Sequence, residues 1–338
     1  MNLLSELLST RDWLLADGAT GTTLFNAGLP TGEAPELWNF DNPDAIRALH
    51  DGFIEAGSDI ILTNSFGGTR ARLKLHDAQD RCLEINRRAA EIARERADRA
   101  GRPVVVAGSM GPTGEILEPV GALSHADAVA MFEEQGRGLL DGGADVLWAE
   151  TLSSEEELQA ADEAADRLGA PFVATLSFDT AGRTMMGVTS TRFAGLAPAL
   201  PDRPIAFGAN CGVGASDLVR TVLGLTEAAP DAVVVAKANA GIPKYVDGAI
   251  VYDGTPELMA DYARLARDAG ARIIGGCCGT TADKLAAMKA ALDAHVPGAR
   301  PTLADLEARL GGFSSATDGT GDSGEPGPQR ARKGRRRG

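Results

Sequence analysis

The sequence lacks the features of an exported or membrane-bound protein. No stretch approaches the roughly 18 apolar residues of a membrane span. Residues 1–11 contain no basic segment followed by an apolar one, as a secretory signal would. Four cysteines in 338 residues do not make a disulfide framework, and such counts point instead to metal binding or catalysis. We therefore expect a cytoplasmic protein with no membrane association.

Positive charge and aromatic rings are also scarce. The net charge of −14 disfavours a nucleic-acid-binding protein, because phosphate backbones attract basic surfaces. Aromatic residues make up only 5% of the chain, which leaves few rings for enclosing a cationic ligand.

Basic residues cluster only at the end of the chain, between Arg330 and Arg337. The segment that begins at Gly311 is rich in Gly, Ser, Asp and Pro, and its few apolar residues cannot offset the entropy lost on ordering. We predict that residues 1–310 form one folded domain and that residues 311–338 are a disordered tail. We interpret its basic end as solvated, with contact to RNA or an acidic partner as the alternative.

Apolar, β-branched segments alternate with helical stretches eight times. The predicted strands are 13–16, 59–63, 104–108, 146–149, 172–177, 205–209, 232–236 and 271–275. Eight strand–helix repeats within about 295 residues predict a (β/α)8 TIM barrel, an α/β fold. A doubly wound open sheet is the alternative, but its phosphate-binding turn needs a G-x-G-x-x-G spacing, which residues 17–22 lack.

Cysteines lie at two of the predicted strand ends, and a (β/α)8 enzyme carries its chemistry at this end of its strands. Cys211 follows the sixth strand, and Cys277 and Cys278 follow the eighth. Three converging thiolates would form a zinc site with one open position, as catalytic zinc sites have. The alternative is that they are small core residues, which is how we interpret Cys82 in a predicted helix.

Motifs at four strand ends resemble those of the homocysteine S-methyltransferase family. That family includes betaine–homocysteine methyltransferase, S-methylmethionine-dependent enzymes and the homocysteine-binding domain of cobalamin-dependent methionine synthase. The resemblance covers about residues 10–295. The motifs are Asp17-Gly18-Ala19-Thr20-Gly21-Thr22, Thr63-Asn64-Ser65-Phe66, Gly208-Ala209-Asn210-Cys211 and Gly275-Gly276-Cys277-Cys278-Gly279-Thr280.

This resemblance implies that Cys211, Cys277 and Cys278 bind Zn2+ and that other strand-end residues bind homocysteine. Asp17 and Glu150 would hold its amino group, and the turn from Gly108 to Gly111 would offer backbone amides to its carboxylate. Asn239 would fill the fourth zinc position before the substrate arrives. The predicted substrate-binding residues are Asp17, Glu150, Gly108, Ser109, Asn210 and Asn239.

From the residues alone, both acidic side chains have other interpretations. Asp17 precedes a glycine, as turn residues commonly do, and Glu150 could form an ion pair at the edge of the barrel. We favour the substrate role for both, mainly on the resemblance.

The chemistry of a zinc-bound thiol agrees with methyl transfer. A free thiol has a pKa of about 8.5 and is a poor nucleophile when protonated, whereas zinc removes the proton from a coordinating thiol. We expect the homocysteine thiolate to attack an activated methyl group in one in-line displacement that produces methionine. A zinc hydrolase is disfavoured because its His and carboxylate ligands are missing: no histidine lies at a predicted strand end.

The methyl donor separates the branches of the family. Betaine users place aromatic residues directly after the second-strand Phe and the fourth-strand Glu, where this chain has Gly67 and Thr151. Only Trp38 remains as a cage wall, whereas the segment from Asn239 to Pro243 resembles the methionine synthase domain. Methionine synthase continues into folate- and cobalamin-binding modules, and this sequence ends after the barrel and its tail.

We therefore expect a homocysteine module that takes its methyl group from a corrinoid, methylcobalamin, carried by a separate protein. Two alternatives stay open. One is a betaine- or S-methylmethionine-dependent homocysteine methyltransferase. The other is not an enzyme but a zinc-holding scaffold or regulatory subunit.

Overall fold

The computed structural model describes residues 2–201, 203–246 and 249–320, which are built around a ring of eight parallel strands. These strands are β1 (Leu14–Leu15), β2 (Ile60–Leu62), β3 (Val105–Met110), β4 (Val146–Leu152), β5 (Phe172–Leu176), β6 (Ala206–Cys211), β7 (Val234–Ala238) and β10 (Ala271–Gly276). They are hydrogen-bonded in the order β1-β10-β7-β6-β5-β4-β3-β2. A parallel bridge between Ala16 and Ile60 joins the two ends of this order. The predicted TIM barrel is confirmed.

Helices surround the strands, and two of them begin with a capping residue followed by a proline. Asn42 caps one helix and Thr255 another, and in both cases a proline occupies the first turn. The helices are α1 (Leu3–Thr10), α2 (Thr20–Asn26), α3 (Trp38–Asp41), α4 (Pro43–Glu55), α5 (Arg70–Leu73), α6 (Cys82–Asp98), α7 (His125–Asp141), α8 (Glu155–Leu168), α9 (Ser190–Leu196), α10 (Ala215–Ala228), α11 (Pro256–Asp268), α12 (Ala282–Asp293) and α13 (Leu303–Leu310).

The interior of the barrel is a packed core. Alternate strand residues point inwards and form one apolar cluster that includes Trp148, Val235 and Ile273. Leu4 and Leu7 of α1 belong to the same cluster, so α1 covers the N-terminal end of the strands. Because that end is filled with apolar side chains, polar groups can gather only at the C-terminal end.

A β-hairpin interrupts the repeat after β7. Its strands, β8 (Pro243–Val246) and β9 (Ala249–Tyr252), pair antiparallel outside the barrel sheet. Counting strand–helix repeats does not predict it. The sequence nevertheless carries a hairpin signal, because Asp247-Gly248 separates two runs that contain Val, Ile and Tyr.

The structure differs from the sequence prediction at the start of the tail. Residues 312–315 pack on α10: Phe313 stacks under the Arg220 guanidinium at 4.5 Å, and the Ser314 amide donates to Asp217 at 2.9 Å. Arg220 also donates to the Ser315 carbonyl. The Phe313 ring and the buried Asp217–Arg220 ion pair thus hold a segment whose composition predicts disorder. The basic end, residues 330–337, lies outside the described residues.

None of the helices within the described ranges has the length and apolar character needed to cross a bilayer.

Replacing Phe313 with Ala should lower the free energy of unfolding by about 1–2 kcal/mol, because it removes a half-buried ring and its contact with a guanidinium. Urea denaturation followed by circular dichroism measures this loss. Val296→Ala is the control, since Val296 is 84% exposed and its replacement should change stability by less than about 0.5 kcal/mol. Equal stabilities of the two variants would mean that the tail is not held by Phe313.

Candidate active site

The three predicted zinc ligands lie together at the C-terminal end of the barrel. Cys211 Sγ is 2.7 Å from Cys277 Sγ and 3.9 Å from Cys278 Sγ. All three sulfur atoms lie within 4.8 Å of one another. Cys82 is buried at the start of α6, far from this group in the fold, and its sulfur contacts the Gly68 carbonyl.

The backbone pairing of β7 with β6 and β10 brings the three cysteines together. Ala238 of β7 is paired with Cys211 on one side and with Gly276 on the other. The Cys277 amide donates to the Ala238 carbonyl at 2.7 Å, and the Ala240 amide donates to the Cys278 carbonyl at 2.9 Å. The end of β7 therefore lies between the two cysteine-bearing segments and holds both.

Two residues at this site, one of them a cysteine of the cluster, have positive φ angles. Cys211 has φ +58° and Thr151 has φ +63°, a region that non-glycine residues seldom occupy and that is often found at functional sites. Asn210 links them, because its side chain accepts from the Thr151 amide at 2.8 Å and donates to the Thr151 hydroxyl at 2.7 Å. Asn210 is fully buried, and its Nδ2 also lies 3.9 Å from Cys277 Sγ.

The donor set fits a zinc ion. Tetrahedral coordination with Zn–S bonds of about 2.3 Å separates the sulfur atoms by about 3.8 Å, which is close to the Cys211–Cys278 distance. Cys211 and Cys277 would have to separate by about 1 Å. A further donor is at hand, since Asn239 Oδ1 is buried without a hydrogen-bond partner while its Nδ2 donates to the Gly212 carbonyl.

The cysteine cluster shares its protons unequally. Hydrogen bonds from Cys211 and Cys277 lower the pKa of Cys278 to about 3. The same contacts, together with burial, raise the pKa of Cys211 well above its ordinary value. The pKa of Cys277 is also raised, to about 12, so Cys211 and Cys277 must each lose a proton to become zinc ligands.

Glu150 lies near the cysteines at the end of β4. Its Oε1 accepts from the Ser109 hydroxyl at 2.5 Å, and its Oε2 forms no hydrogen bond with the described residues. Burial raises the pKa of Glu150 to about 7, against the opposing charge of Lys237. Glu150 as a whole residue is 9% exposed, so part of it remains accessible to solvent.

Asp17 is more enclosed than Glu150. It is 1% exposed, and both of its carboxylate oxygens have partners. Oδ1 accepts from Lys237 Nζ at 2.8 Å, and Oδ2 accepts from the Leu62 amide at 2.7 Å. Burial raises its pKa, and Lys237 offsets part of that effect.

Two of the amides in the turn after β3, where the sequence predicts a carboxylate site, have partners within the protein. The Ser109 amide donates to the Thr63 hydroxyl at 2.9 Å, and the Gly111 amide donates to the Phe66 carbonyl at 2.9 Å. Gly108 instead makes room for α7, because a Cβ there would lie 2.9 Å from Leu139. These contacts within the protein occupy the turn.

Two residues at the site have no counterpart in the sequence predictions. Lys237 ends the apolar run of β7, and a charge within such a run was the available signal. Tyr252 of β9 lies close enough to Cys278 to lower the pKa of its thiol, and its position follows from the hairpin, which the repeat analysis omits.

A carboxylate lies against Gly67, one of the two positions at which betaine users would have an aromatic residue. The Gly67 amide donates to Glu36 Oε1 at 2.5 Å, and a Cβ on Gly67 would lie 2.9 Å from that oxygen. Trp38, the one predicted cage wall, is 8% exposed. Its segment is fixed to the second strand end, because Asn64 donates to the Pro35 carbonyl at 2.7 Å.

Comparison with known proteins places this geometry in a family. Residues 14–292 match the family model of homocysteine S-methyltransferase. Methionine synthase of Mycobacterium tuberculosis (strain ATCC 25618 / H37Rv) is 32% identical over 294 residues, which are 82% of this chain and 24% of that protein. The chain thus spans about a quarter of the length of this curated relative.

Solved structures show the same likeness. The homocysteine methyltransferase MmuM from Escherichia coli, in its metallated form, superposes with a TM-score of 0.71 at 28% identity, covering 86% of this chain and 99% of that one. Its apo form superposes with a TM-score of 0.69 at 28% identity, over 86% of this chain and 100% of that one.

We expect the reduced protein to bind one zinc ion per chain and to release about two protons as it does so at neutral pH, because only one thiolate is present beforehand. Zinc affinity should therefore rise by up to about 100-fold per pH unit. Calorimetry in buffers of different ionisation enthalpy measures both quantities.

Cys211→Ser should abolish tight zinc binding, and Cys82→Ala, the matched control, should leave it unchanged. Loss of zinc in Cys82→Ala with retention in Cys211→Ser would place the metal elsewhere.

Proposed function

The chain belongs to the homocysteine S-methyltransferase family, and we propose that it methylates the sulfur of homocysteine with zinc held by Cys211, Cys277 and Cys278. The observation that carries this proposal is the three-cysteine cluster with the partly accessible Glu150 nearby. When bound, zinc would keep the substrate thiol deprotonated at neutral pH and so supply a thiolate nucleophile. A metallated form of the similar E. coli enzyme supports the same assignment.

The residues around the cluster supply recognition and support. Glu150 binds the substrate ammonium group, an ion pair that its enclosed position strengthens. Asn210 holds the ends of β4 and β6 together through Thr151. Asn239 contributes its free Oδ1 to the metal when no substrate is present. All four cysteines are free thiols, which agrees with a cytoplasmic location.

We further propose that the methyl group comes from a corrinoid carried by a separate protein. The missing aromatic cage weighs against betaine, and the likeness to methionine synthase favours a corrinoid. Large exposed apolar side chains in segments that follow several barrel strands are the surface that we assign to such a partner; we call them the mouth rim. The mouth rim comprises Phe25, Phe66, Ile116, Val120, Met185, Met186, Ile242 and Val251. Exposed apolar side chains that lie together mark interaction sites.

A small methyl donor is the second candidate, and one observation favours it. The E. coli enzyme matches over 99% of its own length, so a barrel of this size is the whole of that methyltransferase structure. S-methylmethionine, a sulfonium compound, would be the donor of this alternative.

The donor assay decides between the two. Zinc-loaded protein is incubated with homocysteine and with methylcobalamin, betaine or S-methylmethionine, and methionine is quantified. We expect turnover with methylcobalamin and none with betaine, because the cage position holds Glu36. Rapid turnover with S-methylmethionine and no corrinoid would support the small-donor enzyme. The absence of turnover with all three donors would contradict both proposals.

Recognition of the ammonium group by Glu150 should depend on pH. With a pKa of about 7, this group is neutral at low pH, so its attraction for an ammonium ion is lost as the pH falls. The preference for homocysteine over 4-mercaptobutyrate, which lacks the amino group, should be about tenfold larger at pH 8 than at pH 6. Competition binding to the zinc-loaded protein measures it, and Glu150→Gln should flatten the profile. An unchanged profile in that variant would assign the ammonium to another residue.

A further inference from the structure

Lys237 is a buried cation among the residues that recognise the substrate. It lies on β7 and is 2% exposed. Its Nζ donates to Asp17 Oδ1 at 2.8 Å and lies 5.6 Å from the centroid of the Trp148 ring. Lys237 Nζ and the Asp17 carboxylate therefore form a buried ion pair, with side chains 2% and 1% exposed.

The pairing of Lys237 makes the two acidic residues unequal. Asp17 uses one oxygen for Lys237 and the other for the Leu62 amide, so its charge is compensated within the protein. Glu150 uses one oxygen for a neutral partner, the Ser109 hydroxyl. Opening the Asp17–Lys237 pair would leave an uncompensated buried charge, which is costly. An incoming ammonium group therefore meets one available carboxylate.

We propose that Lys237 is a positioning residue that withholds Asp17 from the substrate, so that Glu150 alone binds the ammonium group of homocysteine. This inference rests on the proposed function, because it assigns roles within the same substrate site. It replaces the equal roles that the family resemblance implies for the two carboxylates. It also defines the ligand class: an amino thiol with a single cationic group, matched to a single carboxylate.

A double-mutant cycle tests the inference. The readout is the ratio of affinities for homocysteine and 4-mercaptobutyrate, measured by competition on zinc-loaded protein. The variants are Glu150→Gln, Lys237→Met and the two combined. Methionine preserves the length of the lysine side chain but removes the charge. A charged hydrogen bond is worth about 10- to 100-fold in affinity, which sets the scale of the expected loss.

We expect Glu150→Gln in the otherwise unchanged protein to remove most of the preference for homocysteine, leaving less than about threefold. In the Lys237→Met background the same substitution should leave a preference of about tenfold or more, because Asp17 is then free to bind the ammonium. A loss that is the same in both backgrounds would overturn the inference. So would a large preference remaining in Glu150→Gln alone.

A second variant keeps the test valid if the buried charge left by Lys237→Met harms folding. Asp17→Asn combined with Lys237→Met removes both charges of the pair, and it should keep the preference for homocysteine because Glu150 remains. Loss of that preference, with zinc content and thermal midpoint intact, would show that Asp17 binds the substrate and would overturn the inference.

The starting protein separates the two proposals. If the unsubstituted zinc-loaded chain binds both thiols equally, the proposed amino-acid recognition fails, and the role of Lys237 fails with it. If that chain prefers homocysteine but the cycle shows no coupling, the proposed function stands and only the role of Lys237 fails.

Discussion

The pairing of β7 with its two neighbours is the constraint on which the site depends. Ala238 is in register with both Cys211 and Gly276, so the end of β7 sets the height of the sulfur atoms on either side. A slip of one residue in either pairing would turn the cysteine side chain to the opposite face of its strand. The apolar packing of Val235 inside the barrel opposes such a slip. The chemistry at the top of the barrel is therefore maintained by hydrophobic burial within it.

The protonation states of the charged residues at the C-terminal end of the barrel depend on their low exposure to solvent. Asp17, Glu150 and Lys237 are enclosed, so each ionic state depends on its neighbours more than on water. Asp17 and Lys237 neutralise each other, and Glu150, with only a hydroxyl partner, has its pKa raised to about 7. The cysteine cluster lowers its own charge by retaining protons on Cys211. A cationic ligand or metal would therefore change the protonation of the site as it binds.

The sequence predicts the parts of this arrangement that depend on repeats and on chain order. Strand–helix alternation places the strands and brings Cys211 beside Cys277 and Cys278. It does not predict which polar groups satisfy one another, because that depends on contacts between residues distant in sequence. The Asp17–Lys237 pair joins residues 220 positions apart, and it is visible only in three dimensions.

Local contacts account for the other differences from the sequence predictions. The amides of Ser109 and Gly111 look available in a glycine-rich turn, yet Thr63 and Phe66 accept from them. The start of the tail looks disordered by composition, yet Phe313 finds Arg220 on α10. Composition averages over a segment, whereas one well-placed side chain is enough to order it.

Packing at the second strand end is the structural basis of our proposal for the methyl donor. A cage for a trimethylammonium group needs ring faces around the cation. Here a buried carboxylate, Glu36, lies against Gly67, and hydrogen bonds between Asn64 and residues 35 and 39 fix the segment that carries Trp38. In the proposed function the methyl group is delivered by a partner protein and needs no such cage, because that partner would itself cover the mouth and exclude water, with the mouth rim as its contact surface.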